Sequence, residues 1–309
     1  MTDPLGNTGT RPRLPQTRRG RRLWVSLAAG TVVIVTAAVA VWILQAIPSA
    51  TGLPPQKPAR ASAAQAQDIP VPTVPADALR RLPEARYDAV IGGLLPYTGD
   101  AGAITESYRI SSDVPVFGAD RRIPVARLSA KDFVGASTTV VVVKREGPWS
   151  LVLTPARIVL PSASRGNAPA QSAGWVAGSA LERAGALHDR IVVSVSEQKL
   201  SILHDGSVVS RFAVGVGTPG TPTPTGVTGY LQQRYLDPRQ GQTVFPIQLT
   251  SLHASAQDEP YGGNDGGLIG IHYNRASVGA VSHGCLRLAE DAITAVDSLP
   301  LGTPITITT

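Results

Sequence analysis

Between Leu23 and Leu44 the chain runs for 22 residues without a charge, LWVSLAAGTVVIVTAAVAVWIL. At about 1.5 Å per residue this is roughly 33 Å of helix, enough to cross a hydrocarbon core of about 30 Å. The pattern predicts a transmembrane helix over 23–44, with Trp24 and Trp42 near its ends, where indole rings favour the interface. Over 45–75 the apolar pattern is lost. Pro48, Pro54, Pro55, Pro58, Pro70, Pro72 and Pro75 are spaced by Ala, Ser and Gln, which predicts a semi-extended linker without a core. Short β-branched runs then begin. Residues 76–185 hold strand-like stretches at Glu106–Ile110, Ile123–Leu128, Thr138–Lys144, Ser150–Leu153 and Ala173–Val176. A short helix is expected from Pro83 to Ile91, with Pro83 in its first turn and Gly92-Gly93 ending it. From residue 188 the strands are clearer: Arg190–Ser196, Lys199–His204, and Ser207–Gly217 after the Asp205-Gly206 turn. Leu288, Ala292, Ile293, Val296 and Leu299 share one face of a helix over Leu288–Leu299, and Ile305–Ile307 reads as a last strand.

Charge changes the picture at one end only. The chain has a formal net charge of +6. Its first 22 residues carry Arg11, Arg13, Arg18, Arg19, Arg21 and Arg22 against Asp3 alone, which leaves the other 287 residues at +1. No basic face for nucleic acid is implied. The arginines instead predict that 1–22 is a cytoplasmic tail and that everything beyond the helix lies outside the membrane. A cleaved signal peptide is the competing reading. Its apolar region usually runs to about 15 residues at most, and Pro48 spoils cleavage after Ala50. The expected partner of the N-terminus is therefore a lipid bilayer.

The remaining chemistry is crowded into sixteen residues. All five histidines (His188, His204, His253, His272 and His283) lie in the last domain, from residue 188 onward. His272 and His283 precede the single cysteine, Cys285, in the run His272-Tyr-Asn-Arg-Ala-Ser-Val-Gly279-Ala-Val-Ser282-His283-Gly284-Cys285-Leu-Arg287. One cysteine excludes an intramolecular disulfide and any cysteine-cluster metal centre. A lone buried cysteine is usually an inert small apolar residue. Here cationic neighbours and a helix expected just after it predict a lowered thiol pKa and a nucleophilic thiolate. Gly284 permits a tight turn with amide N–H groups free for an oxyanion. Spacing alone leaves open which histidine is the base. A zinc site from His272, His283 and Cys285 lacks the usual ligand spacing.

These residues resemble the L,D-transpeptidase catalytic domain of the YkuD type, known by a histidine at a strand end followed by G-x-x-S-H-G-C-x-R. Ile271-His272, Gly279, Ser282-His283-Gly284-Cys285 and Arg287 match in order, and Thr223-Pro224-Thr225-Gly226 is similar to the family's approach to its site. The resemblance covers about 188–309. It implies Cys285 as nucleophile, His272 as general base and acid, and His283 with Gly284 in positioning and the oxyanion site. Ser282 and Arg287 follow as orienting residues. Tyr273 departs from the pattern, where a small residue is usual, and is expected to line the substrate cleft. The backbone carbonyl of residue 273 could orient His272 whatever its side chain. Residues 140–153 and 173–176, with Trp149 and Trp175, more weakly resemble a bacterial SH3-type barrel; Trp149 and Trp175 read equally as core.

The expected fold is therefore mostly β: an L,D-transpeptidase-type β-sandwich with one short helix over 188–309, preceded by a small SH3-like barrel over 76–185 and one transmembrane helix. The implied activity is peptidoglycan L,D-transpeptidation, from a donor stem tetrapeptide to an amine acceptor, in the cell envelope and without a cofactor or metal. An L,D-carboxypeptidase or exchange reaction on the same site, and a non-catalytic wall-binding module, are the alternatives.

Overall fold

Proline at position 83 decides where the first helix ends. The computed structural model describes residues 69–236, 245–262 and 265–309. Its first helix, α1 (Ala76–Arg81), stops at Leu82, which is extended at φ −70°, ψ 145°, the conformation that a following proline imposes. The helix expected over Pro83–Ile91 does not form. Its backbone groups are spent on cross-chain bonds: Ala85 N–H donates to Arg127 O at 2.8 Å, Arg127 N–H to Pro83 O at 2.9 Å, and Ile91 N–H to Arg157 O at 2.8 Å. The Glu84–Arg127 ion pair at 2.9 Å fixes the same crossing.

Eight strands follow: β1 (Leu95–Pro96), β2 (Glu106–Arg109), β3 (Val114–Phe117), β4 (Pro124–Leu128), β5 (Thr139–Glu146), β6 (Trp149–Thr154), β7 (Ser172–Ala177) and β8 (Glu182–Ala186). They form one sheet in the order β4-β3-β7-β6-β5-β2-β8, with β1 on β7. Phe117, Trp149 and Trp175 pack into a buried aromatic cluster, Phe117 and Trp149 edge to face at 5.1 Å. The end of the proline-rich segment covers this cluster. Val71 and Val74 pack on it, and the Trp149 indole N–H donates to Ile69 O at 2.6 Å. Residues 69–75 are thus docked rather than free, because two valines find an apolar surface there. The two tryptophans are core, not a bare contact surface.

The remaining strands build a second sheet: β9 (Asp189–Ser194), β10 (Lys199–His204), β11 (Ser207–Ala213), β12 (Gly215–Gly217), β13 (Val227–Tyr235), β14 (Ile247–His253), β15 (Leu268–Tyr273), β16 (Gly279–Ser282), β17 (Leu286–Leu288) and β18 (Pro304–Thr308). Their order is β11-β10-β9-β18-β13-β14-β15-β17-β12-β16. The expected single strand over 207–217 divides at buried Val214, and its glycine-rich end leaves β10 to pair with β16 and β17. Gly215 permits that move, since a Cβ there would lie 2.9 Å from Val281. The helix α2 (Glu290–Asp297) is shorter than expected because Leu288 belongs to β17. It buries Ala292, Ile293 and Val296. Burying the last two contributes roughly 1.5–3 kcal/mol each, and Ile293→Asp is the single change that would break the seat. Glu290 and Asp291 in the first turn complement the positive end of the helix dipole.

The two sheets are joined by polar contacts as well as apolar ones. Ser251 donates to Gln171 Oε1 at 2.6 Å, and His253 N–H to Ala170 O at 2.9 Å. The His253 ring is 2% exposed, and its Nε2–H donates to Tyr87 O at 2.8 Å. Burial, with the nearby Arg157 charge adding to it, pulls the His253 pKa down to about 4. The unfolded chain therefore takes up a proton near pH 6.5 that the folded chain refuses. Stability should fall as pH drops from 6.5 towards 4, by about 3 kcal/mol at pH 4. Urea unfolding at pH 7 and pH 4 should show this slope in the native protein and lose most of it in His253→Gln. Equal slopes in the two proteins would assign the acid sensitivity elsewhere.

Among the described residues no helix is long and apolar enough to cross a membrane. The segment 23–44, on which the transmembrane expectation falls, lies outside them, as does the linker up to residue 68.

Candidate active site

Alternation along two paired strands separates chemistry from core. β15 and β17 run parallel, with Ile271 opposite Leu286, His272 opposite Arg287 and Tyr273 opposite Leu288. Side chains alternate between faces. Ile269, Ile271, Leu286 and Leu288 enter the main core, and Tyr273 packs against it. Gly270, His272, Cys285 and Arg287 therefore share the opposite face. One step back in register, Cys285 stands beside Gly270, and the His272 ring lies on the diagonal, within reach of a large side chain. Gly270 N–H points at Cys285 Sγ at 3.3 Å, and the thiol faces Leu268 O at 3.7 Å.

The imidazole is oriented by its neighbour's backbone. His272 Nδ1–H donates to Tyr273 O at 3.0 Å, which leaves Nε2 as the acceptor nitrogen. Burial lowers the His272 pKa, with the Arg287 charge acting in the same direction. Burial also pushes the Cys285 thiol up to about 11; the Gly270 N–H and Arg287 oppose the shift, and Asp265 adds to it. At neutral pH the resting pair is a neutral thiol and a neutral imidazole. The helix expected to start just after the thiol does not begin there. Cys285 precedes β17, and α2 begins only at Glu290, so its N-terminus is not at the sulfur.

The turn that carries the cysteine is clamped from both sides. Ser282 Oγ donates to Cys285 O at 2.6 Å and accepts from Gly284 N–H at 3.2 Å. Thr223 Oγ1 donates to Gly284 O at 2.7 Å and accepts from Gly217 N–H at 2.9 Å. Thr218 N–H donates to Ser282 O at 2.9 Å. The Thr218–Gly226 segment thus grips the Ser-His-Gly-Cys turn from below. Gly284 sits at φ +116°, and a Cβ there would meet Ile269 Cδ1 at 3.2 Å, so both conformation and space demand glycine. Its own N–H is taken by Ser282, which corrects the expectation that this amide is free for an oxyanion.

His283 is exposed, and its ring meets Tyr261 edge-on at 6.0 Å. Tyr261 and Asp265 were not anticipated, because nothing in the sequence before Ile271-His272 marks them as neighbours of the cysteine. Arg287 is half-buried, and its Nε has no hydrogen-bond partner among the described residues. No group of three His, Cys, Asp or Glu side chains among the described residues could hold a metal.

Tyr273 is placed on the core side of β15, half-buried, with Phe245 at 5.5 Å. The expectation that it lines the cleft fails for a plain reason: it is one residue from His272 and so faces the other way. Tyr273→Ala should cost about 2 kcal/mol, near half the 3–5 kcal/mol of a fully buried aromatic. Donor KM should stay within about twofold, since the carbonyl that holds His272 remains. A large KM change at unchanged melting temperature would return the ring to the cleft.

Residues 188–307 match the family model of the YkuD L,D-transpeptidase catalytic domain. Solved structures add likenesses of low identity. The Ldtfm–avibactam carbamoyl enzyme is 20% identical over 40% of this chain and 49% of its own, about half its length, at a TM-score of 0.29. An L,D-transpeptidase from Mycobacterium smegmatis is 15% identical over 52% of this chain and 91% of its own, at a TM-score of 0.32. One from Stackebrandtia nassauensis is 15% identical over 40% and 56%, at 0.30. No curated protein matches the chain.

Proposed function

We propose that the protein is a peptidoglycan L,D-transpeptidase with Cys285 as nucleophile and His272 as base. The observation that carries the reading is the shared face of β15 and β17. The chain's only thiol stands there beside Gly270, diagonal to an imidazole whose Nδ1 is held by Tyr273 O. The family match over 188–307 supports it.

His272 Nε2 takes the proton from Cys285 Sγ as the sulfur attacks the carbonyl joining the third residue, a diamino acid, to the terminal D-Ala of a stem tetrapeptide. The D-Ala amine leaves with the proton from His272, and a thioester remains. An amine of a second stem attacks the thioester and gives its proton to His272, which passes it to the departing Cys285 sulfur, leaving a 3→3-type cross-link and the resting thiol. Ser282 and the threonine clamp hold the turn in register during these steps. The role of His283 in this reading is to meet substrate rather than the sulfur, which its exposure beside Tyr261 supports.

Incubating the extracytoplasmic part with a defined tetrapeptide, with and without an amine acceptor, and weighing the products tests this. A cross-linked dimer with loss of D-Ala is expected. Tripeptide alone in the presence of acceptor would mean that water is the acceptor, and an L,D-carboxypeptidase. The SH3-type reading of residues 76–185 belongs to the proposal and rests on the Trp149 hairpin and the strand of Trp175. So does the envelope location, which rests on the arginines before Leu23. Protease added to spheroplasts should remove everything beyond about residue 45. Protection of the catalytic domain would place it in the cytoplasm and end the peptidoglycan reading.

A further inference from the structure

Arg157 is a charge from the first sheet's module buried beside the catalytic strand. It follows β6 and is 3% exposed. Its backbone is fixed on both sides: N–H donates to Ala89 O at 2.9 Å, and its carbonyl accepts from Ile91 N–H at 2.8 Å. The guanidinium lies over Gly267, where a Cβ would stand 1.6 Å from Nη2 and 2.7 Å from Cζ. Gly267 also sits at φ +63°, with the backbone Asp258 O 2.6 Å from such a Cβ, so glycine is required there. Asp258, Glu259 and Asp265 are the charges it faces. The last two also bind Gly267 N–H, Asp265 Oδ1 at 2.9 Å and Glu259 Oε2 at 3.2 Å. Ser162, also from the first module, donates its N–H and hydroxyl to Asp258 at 2.8 and 2.7 Å.

The next residues of the chain meet the reacting sulfur. Leu268 O faces the thiol, and Gly270 N–H points at it. Gly267 is therefore the base of the shelf on which Cys285 rests, and it is pressed between a cation of one module and carboxylates of the other. An apolar side chain would fill the same volume without the cost of burying a cation, which is several kcal/mol unless opposite charge repays it. The charges that bear on the thiol are Asp265, which disfavours the thiolate, and Arg287, which favours it; His272 shares its face. Arg157 forms no ion pair with Asp265, and its Nε and Nη2 have no hydrogen-bond partner among the described residues; its charge opposes that of Asp265 from across Gly267.

We propose that Arg157 is a positioning residue for Cys285, acting from the neighbouring module by wedging Gly267 and by offsetting the Asp265 carboxylate. The inference rests on Cys285 being the nucleophile. It makes the module a working part of the active site rather than a spacer.

Iodoacetamide alkylates the only cysteine of the chain, so its rate against pH in the full-length protein reads the Cys285 thiol whatever the natural substrate is. Arg157→Met should slow alkylation at pH 8 about five- to tenfold, the change for an upward pKa shift of about 0.7–1. Asp265→Asn should speed it severalfold. In the double variant the Arg157→Met effect should shrink below about twofold, since coupled neighbours are not additive. Arg157→Lys, which keeps the charge, should recover most of the rate. With tetrapeptide, Arg157→Met should lower kcat and leave KM near its native value. A lowered melting temperature with an unmoved alkylation profile would make Arg157 packing only and overturn the proposal, as would additive effects of the two substitutions. If Arg157→Met does not fold, Asp265→Asn decides: an unmoved profile overturns it. Failure of the peptide assay with the alkylation pattern intact would instead count against the transpeptidase reading.

Discussion

Cys285→Ala is expected to leave a folded protein that forms no acyl-enzyme. The side chain is half-buried, and its contacts are one weak N–H contact to sulfur and one long approach to a carbonyl. The turn around it is held by Ser282, Thr223 and Thr218, each through backbone groups that alanine keeps. Little stability is therefore at stake, and melting temperature should move by only a few degrees. Activity should fall by about four to six powers of ten, the range seen when a covalent nucleophile is deleted. A carbapenem-type acylating agent, which the family resemblance suggests, should add once to the native protein by mass and not at all to the variant. A persisting adduct would place the nucleophile on another residue and remove the basis of the mechanism.

Much of the site was legible because it is local. The order of His272, Gly279, Ser282, His283, Gly284, Cys285 and Arg287 in sixteen residues is a chemical pattern, and two short parallel strands bring its parts to one face. Period-two alternation alone would have placed Tyr273 on the core side; its departure from the family pattern invited a chemical reading where packing was the answer. The helix start expected beside the thiol fails for a related reason. A helix expected from Leu288 ignored Leu288's place in β17, and that strand keeps the α2 N-terminus off the sulfur. Arg157, Asp265 and Tyr261 were not legible at all. Arg157 reaches the site from a distant part of the sequence, and nothing in the local composition around Tyr261 and Asp265 marks them. The same holds for residues 69–75. Proline content predicts an extended segment, which is correct locally, but not that Val71 and Val74 find the Phe117–Trp149–Trp175 cluster.

His272→Ala should be damaging, though less so than loss of the cysteine, and its pH profile identifies the base. With the thiol pushed up to about 11, the thiolate fraction at pH 7.5 without a base is about 3 in 10,000. The variant should therefore retain a rate roughly three powers of ten below native, inside the two to four that a positioned general base supplies. Its acylation rate should climb about tenfold per pH unit as thiolate accumulates, through pH 9. The native enzyme should behave otherwise. Burial keeps His272 unprotonated below the usual histidine range, so its rate should be flat above pH 6.5 and fall only on the acid side of that value. His283→Ala should keep this native profile at a reduced rate, since its ring stands at the exposed end of the turn against Tyr261. Stopped-flow acylation from pH 5 to 9 separates the two. If His272→Ala keeps the native plateau while His283→Ala gains the tenfold climb, the base is His283, and the diagonal of β15 and β17 serves only to seat the thiol.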